Sequence, residues 1–155
     1  GVANEYLLDL TGQLPNQLRR KFDVAFNHTT LEHIWDVRKA FENLCELSKD
    51  VVILVVPFSQ VQHESNSWAD YWRFTPTCIH RLFEENGLTV IYEAENRARN
   101  SAIYLFFVAS RYPNKWSRIM PPYEPITNAG EVIGRSRYRL ILRRVWSKMV
   151  KAKVR

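Results

Sequence analysis

The apolar run VVILVVPF at residues 51–58 is the feature that most constrains the fold of this chain. Most of its members are β-branched and none is charged, which is typical of a strand covered on both faces at the centre of an α/β sheet. Before it, from Thr30 to Ser48, apolar residues recur at spacings of three and four, as on one face of a helix. An amphipathic helix followed by a buried strand predicts a βαβ unit and a largely parallel sheet.

Further strands are predicted on both sides of this unit, at EYLLDL (5–10), FDVAFN (22–27), LTVIYEAE (88–95) and SAIYLFFVAS (101–110). A second helix is expected to begin at Thr75-Pro76 and to end at Gly87, since these residues are typical of a helix start and a helix stop. The connector 96–100 is too short for a crossover helix, so the last two strands should be antiparallel neighbours. The sequence therefore predicts a parallel sheet that ends in an antiparallel hairpin.

The basic residues are concentrated in the last part of the chain. The formal net charge is +6, yet residues 111–155 alone hold 12 Lys and Arg against 2 Asp and Glu. We therefore predict three parts: an α/β domain over residues 1–110, a proline-containing strap over 111–134 and a basic amphipathic helix over 135–155.

Three roles are open for this basic helix. It can dock on its own domain, lie on an anionic membrane surface or bind nucleic-acid phosphates. Phosphate binding alone gives no reason for Leu142 and Trp146, which favours the first two roles over nucleic acid. No apolar run is long enough to span a membrane and no signal-peptide pattern occurs at the start, so we expect a cytoplasmic protein with, at most, peripheral membrane contact through 135–155.

Polar and aromatic residues follow three of the predicted strands. They are Asp9, the stretch NHTTLEH (27–33) and the stretch PFSQVQHESNSWADYWR (57–73). Ligands of open α/β sheets bind at the carboxyl ends of the strands, so these residues are expected to share one pocket. The aromatic segment ADYWRFTP (69–76) would wall that pocket, with Asp70 and Arg73 forming an ion pair that orders it.

Several blocks taken together resemble a known family. LLDLTGQLP, FDVAFNHTTLEHIWDVRKAFENL, VVILVVPF, DYWRFTP and IHRLFEENGL look like the later part of a class I S-adenosylmethionine-dependent methyltransferase of the broad type 11/23 group, over residues 3–110. The resemblance implies a truncated Rossmann-like sheet, in which this chain has parallel strands 4 and 5, the antiparallel 7-6 hairpin, and residues 5–10 as the first strand at the edge. Helices would lie on the faces of the sheet. The family's glycine-rich loop has no counterpart, since no G-x-G occurs in the chain.

The resemblance also implies a cofactor and the residues of a site. S-adenosylmethionine would be the cofactor, and the acceptor of its methyl group would be a small molecule or a glycan-type molecule. His33 or His63 would be the catalytic base, with Glu32 beside them. The residues implied for the cofactor are Asp9, Leu10, Asn27, His28 and Thr29, and those implied for the acceptor are Asp70, Tyr71, Trp72 and Arg73.

A metal ion is not expected from this resemblance. In the ubiquinone-type O-methyltransferases, a Glu-His pair at the position of Glu32 and His33 is tied to a metal together with an acidic residue three positions earlier. This chain has Thr29 at that earlier position.

The residues also allow less specific roles and a second function. Asp9 can be a turn residue that caps Thr-Gly, and Glu32 can simply open a helix. The chain would be an enzyme if a missing N-terminal half completes it, and otherwise a non-catalytic module that associates through its basic tail or the exposed edge at 22–27. That edge needs a cover, which would be residues 1–10, a second copy in a homo-oligomer, or a partner chain.

Overall fold

A computed structural model describes residues 5–98, 101–127 and 129–130. Strand β1 is followed by helix α1 and strand β2, then by helix α2, the hairpin of β3 and β4, and a short helix α3. The bounds are Phe22–His28 for β1, Val37–Leu47 for α1, Ser48–Pro57 for β2, Pro76–Glu85 for α2, Thr89–Ala98 for β3, Ser101–Ser110 for β4 and Pro113–Trp116 for α3. Two single turns of 3-10 helix, Asn16–Leu18 and Leu31–His33, precede β1 and α1.

The four strands form one sheet in the order β1-β2-β4-β3. β1 pairs with β2 in parallel, whereas β4 is antiparallel both to β2 and to β3. The predicted parallel pair and closing hairpin are therefore confirmed, in the order expected for strands 4-5-7-6 of a Rossmann-like methyltransferase sheet.

The core lies on one face of this sheet. Val52, Leu54 and Val56 of β2 are fully buried and are paired with the fully buried Ala109, Phe107 and Leu105 of β4. Helices α1 and α2 both pack into the same cluster, where the rings of Phe41 and Phe83 lie 4.9 Å apart. Burying apolar side chains of this size stabilises a fold by about 1.5–3 kcal/mol each, so this face holds the domain together.

The opposite face of the sheet is less covered than the sequence predicts. Ile53 and Val55 of β2 are half-buried, and Phe26 of β1 is 63% exposed. The prediction that β2 is covered on both faces is thus correct for one face only, within the residues that the structure describes. A continuous apolar run marks a strand as central, but it does not specify how completely each face is packed.

The helix predicted from Thr30 to Ser48 is interrupted. Its first turn is the 3-10 turn Leu31–His33, and the α-helix starts only after Asp36, whose side chain accepts a hydrogen bond from the backbone N–H of Lys39. This cap explains the break, because an Asp at the N-cap satisfies backbone donors that a continuous helix would pair internally. The second helix is as predicted: Thr75 caps it, Pro76 is in its first turn and Gly87 follows it at φ +69°.

The strand predicted over residues 5–10 is not formed. The segment has no regular structure, and Tyr6 meets Phe22 at the start of β1 edge-to-face, with ring centroids 6.4 Å apart. β1 is therefore the edge strand, and no strand pairs with its outer side in the part of the chain described here. A segment forms a strand only where a neighbouring strand can pair with its backbone, so the residue pattern at 5–10 alone was not sufficient to predict one.

The described part of the chain after β4 contains one short helix, α3. Residues 111–127 contain α3 and otherwise irregular backbone, and the predicted strap over 111–134 stays a prediction. The predicted basic helix at 135–155 lies outside the described residues. None of the described helices has the length and apolar character needed to cross a membrane.

Candidate functional site

The carboxylate of Glu32 is the centre of the candidate site. It lies on the 3-10 turn that follows β1 and is fully buried, and neither of its oxygens has a hydrogen-bond partner among the described residues. Burial raises the pKa of this carboxyl, because desolvation penalises its charged form. A buried acid without a partner is uncommon and marks a position that stability alone does not explain.

Two histidines lie next to this carboxylate. His33 Nε2 is 3.8 Å from Glu32 Oε1, and the rings of His33 and His63 meet edge-to-face at 5.1 Å. His33 Nδ1 lies 2.7 Å from the carbonyl oxygen of Ala69, and because a carbonyl only accepts, Nδ1 carries the proton. In the neutral form of the ring the lone pair is therefore on Nε2, on the side of Glu32. The three residues Glu32, His33 and His63 are called the Glu32 cluster below.

The aromatic segment is fixed onto this cluster by its backbone. The N–H groups of Tyr71 and Trp72 both donate to the carbonyl oxygen of Glu32, at 2.8 and 3.2 Å. The indole N–H of Trp72 donates to the carbonyl oxygen of Ile34, and its ring stacks on Trp35 at 5.5 Å. The dense aromatic stretch is thus an ordered wall that packs on the turn carrying Glu32 and His33.

Asp70 and Arg73 form the predicted ion pair inside this segment. The guanidinium donates to both carboxylate oxygens, at 2.5 and 2.6 Å, and the Asp70 side chain is fully buried. The hydrogen bonds from Arg73 lower the pKa of Asp70 to about 2. Asp70 also accepts the backbone N–H of His63 at 2.9 Å, so the pair positions one member of the Glu32 cluster.

The carboxyl end of β1 supplies the next group of predicted residues. The side-chain oxygen of Asn27 is buried and has no hydrogen-bond partner in the described residues, while His28 is exposed. Thr29 has φ +46°, which is unusual for a β-branched residue, and its hydroxyl lies 2.8 Å from His28 Nδ1. Strained backbone of this kind clusters at functional sites, so we include the turn after β1 in the candidate site.

Asp9 and Leu10 lie elsewhere. Asp9 is exposed and its carboxylate accepts from the N–H and the hydroxyl of Thr11, which lowers its pKa. The carbonyl oxygen of Leu10 accepts from the side chain of Asn43 on α1. No hydrogen bond, ion pair or ring contact joins Asp9 to the Glu32 cluster within the described residues. The turn role considered for Asp9 is what the geometry shows, and contact of Asp9 and Leu10 with a cofactor stays a prediction.

An open depression of about 280 Å³ lies beside the aromatic segment. It is lined by Gln60, Gln62, Asp70, Tyr71, Trp72 and Arg73. A larger one, of about 450 Å³, lies between α2 and the start of β3. We place the acceptor part of the candidate site at the smaller depression, because all four residues predicted for the acceptor line it.

Two aromatic residues of the site, Trp35 and Trp68, were not among those predicted to have a catalytic, cofactor or acceptor role. The ring of Trp68 packs on His33 at 4.5 Å and on His63 at 5.4 Å, and Trp35 packs on Tyr71 at 5.4 Å. The only sequence signal for Trp68 is its place immediately before the aromatic segment, and for Trp35 its place immediately after the turn at Leu31–His33.

Comparison with known proteins shows which fold this is. Neither a protein-family model nor a curated protein matches the sequence. The structure is similar to the 1,6-didemethyltoxoflavin-N1-methyltransferase of Burkholderia thailandensis, solved with 1,6-didemethyltoxoflavin and S-adenosylhomocysteine, at TM-score 0.52 and 16% identity over 66% of this chain and 48% of that one. The fold is that of the class I methyltransferases.

Two other solved structures are similar as well. A SAM-dependent methyltransferase from Methanosarcina mazei matches at TM-score 0.50 and 12% identity, over 67% of this chain and 65% of that one. The magnesium protoporphyrin IX methyltransferase of Synechocystis PCC 6803 with bound SAH matches at TM-score 0.49 and 16% identity, over 67% of this chain and 49% of that one. The chain thus spans roughly half to two-thirds of the length of these proteins. The likeness to the Burkholderia and Methanosarcina proteins establishes the fold alone, because the identities are 16% and 12%.

Proposed function

We propose that this chain is part of an S-adenosylmethionine-dependent methyltransferase that acts on a small-molecule or glycan-type acceptor. One observation carries the proposal. Glu32 and His33 lie at the turn after β1 and His63 lies in the loop after β2, next to an aromatic-walled depression, and the carboxyl ends of strands are where ligands of open α/β sheets bind. The methyltransferase-type fold supports it.

The chemistry asks two things of the protein. Displacement at the sulfonium methyl needs the acceptor atom and the methyl group in line, and a hydroxyl acceptor must also lose a proton. His33 suits the second task, since its Nδ1 proton is held by the carbonyl of Ala69 and Nε2 is left with a lone pair. Glu32 beside it would stabilise the imidazolium that forms. His63 is the second candidate base.

The acceptor would lie in the depression beside the aromatic segment. Tyr71 is 47% exposed and can contact a ring or a sugar face, whereas Trp72 and the pair of Asp70 and Arg73 hold the wall in shape. The cofactor would lie over the turn after β1. There the unpartnered amide oxygen of Asn27 is available to accept a hydrogen bond from an N–H of the adenine.

Calorimetric titration of the chain with S-adenosylhomocysteine tests the proposal. We expect binding tighter than about 1 mM, which corresponds to roughly −4 kcal/mol. Asn27→Leu, which removes the amide oxygen at similar volume, should weaken this binding at least about tenfold, or 1.4 kcal/mol. His80→Gln is the control, because His80 lies on α2 and pairs with Glu93. Absence of binding in the unsubstituted chain would contradict the proposal and favour the non-catalytic module.

A further inference from the structure

The unpartnered carboxylate of Glu32 calls for a positive charge. A charged side chain is almost never fully buried without a pair or a bound ion, because the loss of hydration is not recovered otherwise. Both oxygens of Glu32 lack a hydrogen-bond donor among the described residues, although the N–H groups of Tyr71 and Trp72 lie close by and donate to its backbone carbonyl instead. The local backbone thus leaves the carboxylate free to bind something else.

The groups that face Glu32 are donors of lone pairs. One ligand atom from each of Glu32, His33 and His63 can be chosen so that all three lie within 4.8 Å of one another. His33 Nε2 is too far from Glu32 Oε1, at 3.8 Å, for a hydrogen bond to join them. Metal–ligand distances of about 2.0–2.2 Å separate neighbouring ligands by roughly 3–3.5 Å, so the three side chains are near one another but must move closer together when they bind one cation.

We propose that Glu32, His33 and His63 bind one divalent transition-metal cation of the Zn²⁺ type. Two imidazoles and one carboxylate are a ligand set of catalytic zinc sites, in which a fourth position stays open for water or a substrate oxygen. Mg²⁺ and Ca²⁺ prefer sets made of oxygen atoms, so they fit this site poorly. The set differs from the one considered in the sequence, since Thr29 contributes nothing and His63 comes from the loop after β2.

The groups around the histidines support this assignment. A histidine that binds a metal usually donates its other ring N–H to a carbonyl or carboxylate. His33 Nδ1 does so to Ala69 at 2.7 Å, and His63 Nδ1 lies 3.3 Å from the carbonyl oxygen of Val61 and 3.4 Å from Asp70. Asp70 is in turn held by Arg73, so both rings are oriented before a cation arrives.

A cation at this position would act on the acceptor. With the cation bound, His33 Nε2 would be a ligand and not a base, and the cation would take over that task, because metal coordination lowers the pKa of a bound hydroxyl and favours the ionised acceptor oxygen. That role rests on the proposed methyl transfer, whereas binding of the cation does not. The competing explanation is an ion pair between Glu32 and a protonated histidine, without any metal.

Titration of the chain, prepared without a histidine tag, with Co²⁺ separates the two explanations. We expect one Co²⁺ per chain, with the intense visible absorption of four- or five-coordinate cobalt, displacement by Zn²⁺ and no competition from Mg²⁺. The ring of Trp68 packs on both histidines. Quenching of its fluorescence by Co²⁺ should therefore follow the same binding isotherm as the absorption. Binding weaker than about 1 mM would overturn the proposal and leave the ion pair.

Two substitutions and a matched control locate the site. Glu32→Gln and His63→Gln should each weaken Co²⁺ binding at least about tenfold, since even residues around a metal's ligands are worth that much. His80→Gln should leave it unchanged, although His80 also lies beside a buried glutamate, with Nε2 2.7 Å from Glu93 Oε2. Unchanged binding in both Glu32→Gln and His63→Gln would place the cation elsewhere and overturn the assignment. Circular dichroism of each variant confirms that it is folded.

The Co²⁺ titration tests the metal site separately from the titration with S-adenosylhomocysteine. Failure to bind S-adenosylhomocysteine with intact Co²⁺ binding would remove the methyltransferase proposal and keep the metal site. The reverse outcome would remove the metal site and leave His33 or His63 as the base.

Discussion

Glu32 and Asp50 are two buried carboxylates in opposite electrostatic situations. Asp50, near the start of β2, accepts hydrogen bonds from the hydroxyl of Ser110 and the indole of Trp116, and it pairs with Lys115. Burial opposes its charged form, but these partners outweigh burial and lower its pKa. Glu32 accepts no hydrogen bond from another side chain in the part of the chain that the structure describes, and burial outweighs the nearby His33 and His63 and raises its pKa. The comparison shows that this fold can satisfy a buried acid, so the unpaired state of Glu32 points to function.

Asp70 is a third buried carboxylate, and it has hydrogen-bond partners although it lies in the candidate site itself. Arg73→Ala would remove both guanidinium hydrogen bonds and leave a fully buried charge behind. We expect a loss of about 3 kcal/mol in the free energy of unfolding, measured with urea, since breaking a buried pair from one side has this effect. Arg81→Ala is the control, because Arg81 pairs on the exposed side of α2. A loss of similar size in both variants would show that the pair has no special role.

Amide substitutions at the two compared residues should act in opposite directions. Asp50→Asn replaces one carboxylate oxygen with an NH2 group that cannot accept from Ser110, Lys115 or Trp116, and it should destabilise the chain by about 2 kcal/mol. Glu32→Gln removes an unpaired buried charge and should stabilise it by about 1 kcal/mol, in the presence of a chelator. Urea unfolding at neutral pH measures both. If Glu32→Gln were destabilising by as much as Asp50→Asn, Glu32 would have partners that the structure does not show.

The smallest expected effect is on the pH dependence of stability. Because the pKa of Asp50 in the folded protein is below its ordinary value of 3.8, its contribution is present above pH 3.8 and is lost as the pH falls through the folded value. The difference in unfolding free energy between the unsubstituted chain and Asp50→Asn should therefore shrink in acid. A difference that stayed constant down to pH 2 would show that the charge of Asp50 is not what its partners stabilise.

The sequence predicted the sheet better than it predicted the segments around it. The run at 51–58 and the short connector at 96–100 were sufficient to order β2, β3 and β4, because periodicity and loop length depend on local residues. The hexapeptide at 5–10 is shorter and contains two acidic residues, and whether such a segment forms a strand depends on a neighbour. The full burial of one sheet face and the partial cover of the other depend on tertiary packing, which a pattern of apolar residues does not encode.

The same distinction applies to the site. The general rule for carboxyl ends of strands correctly brought Glu32, His33 and the aromatic segment together. It did not do so for Asp9, since the strand on which that prediction depended does not exist. The contact of His63 with His33 depends on the path of the irregular loop between Pro57 and Thr75, for which the sequence has no periodic signal. The packing of Trp68 between the two histidines follows from that path too.

The carbonyl oxygen of Glu32 accepts two backbone hydrogen bonds from the aromatic segment while its side chain faces the two histidines. The backbone of this one residue therefore anchors the aromatic segment, and its side chain faces the histidines. Moving the aromatic segment at Tyr71 and Trp72 would break these hydrogen bonds and displace Glu32. We therefore expect a ligand to enter the depression on the side of Gln60 and Gln62. Ligand binding and release should for this reason depend on the shape of the depression at these two glutamines, while the aromatic segment stays in place.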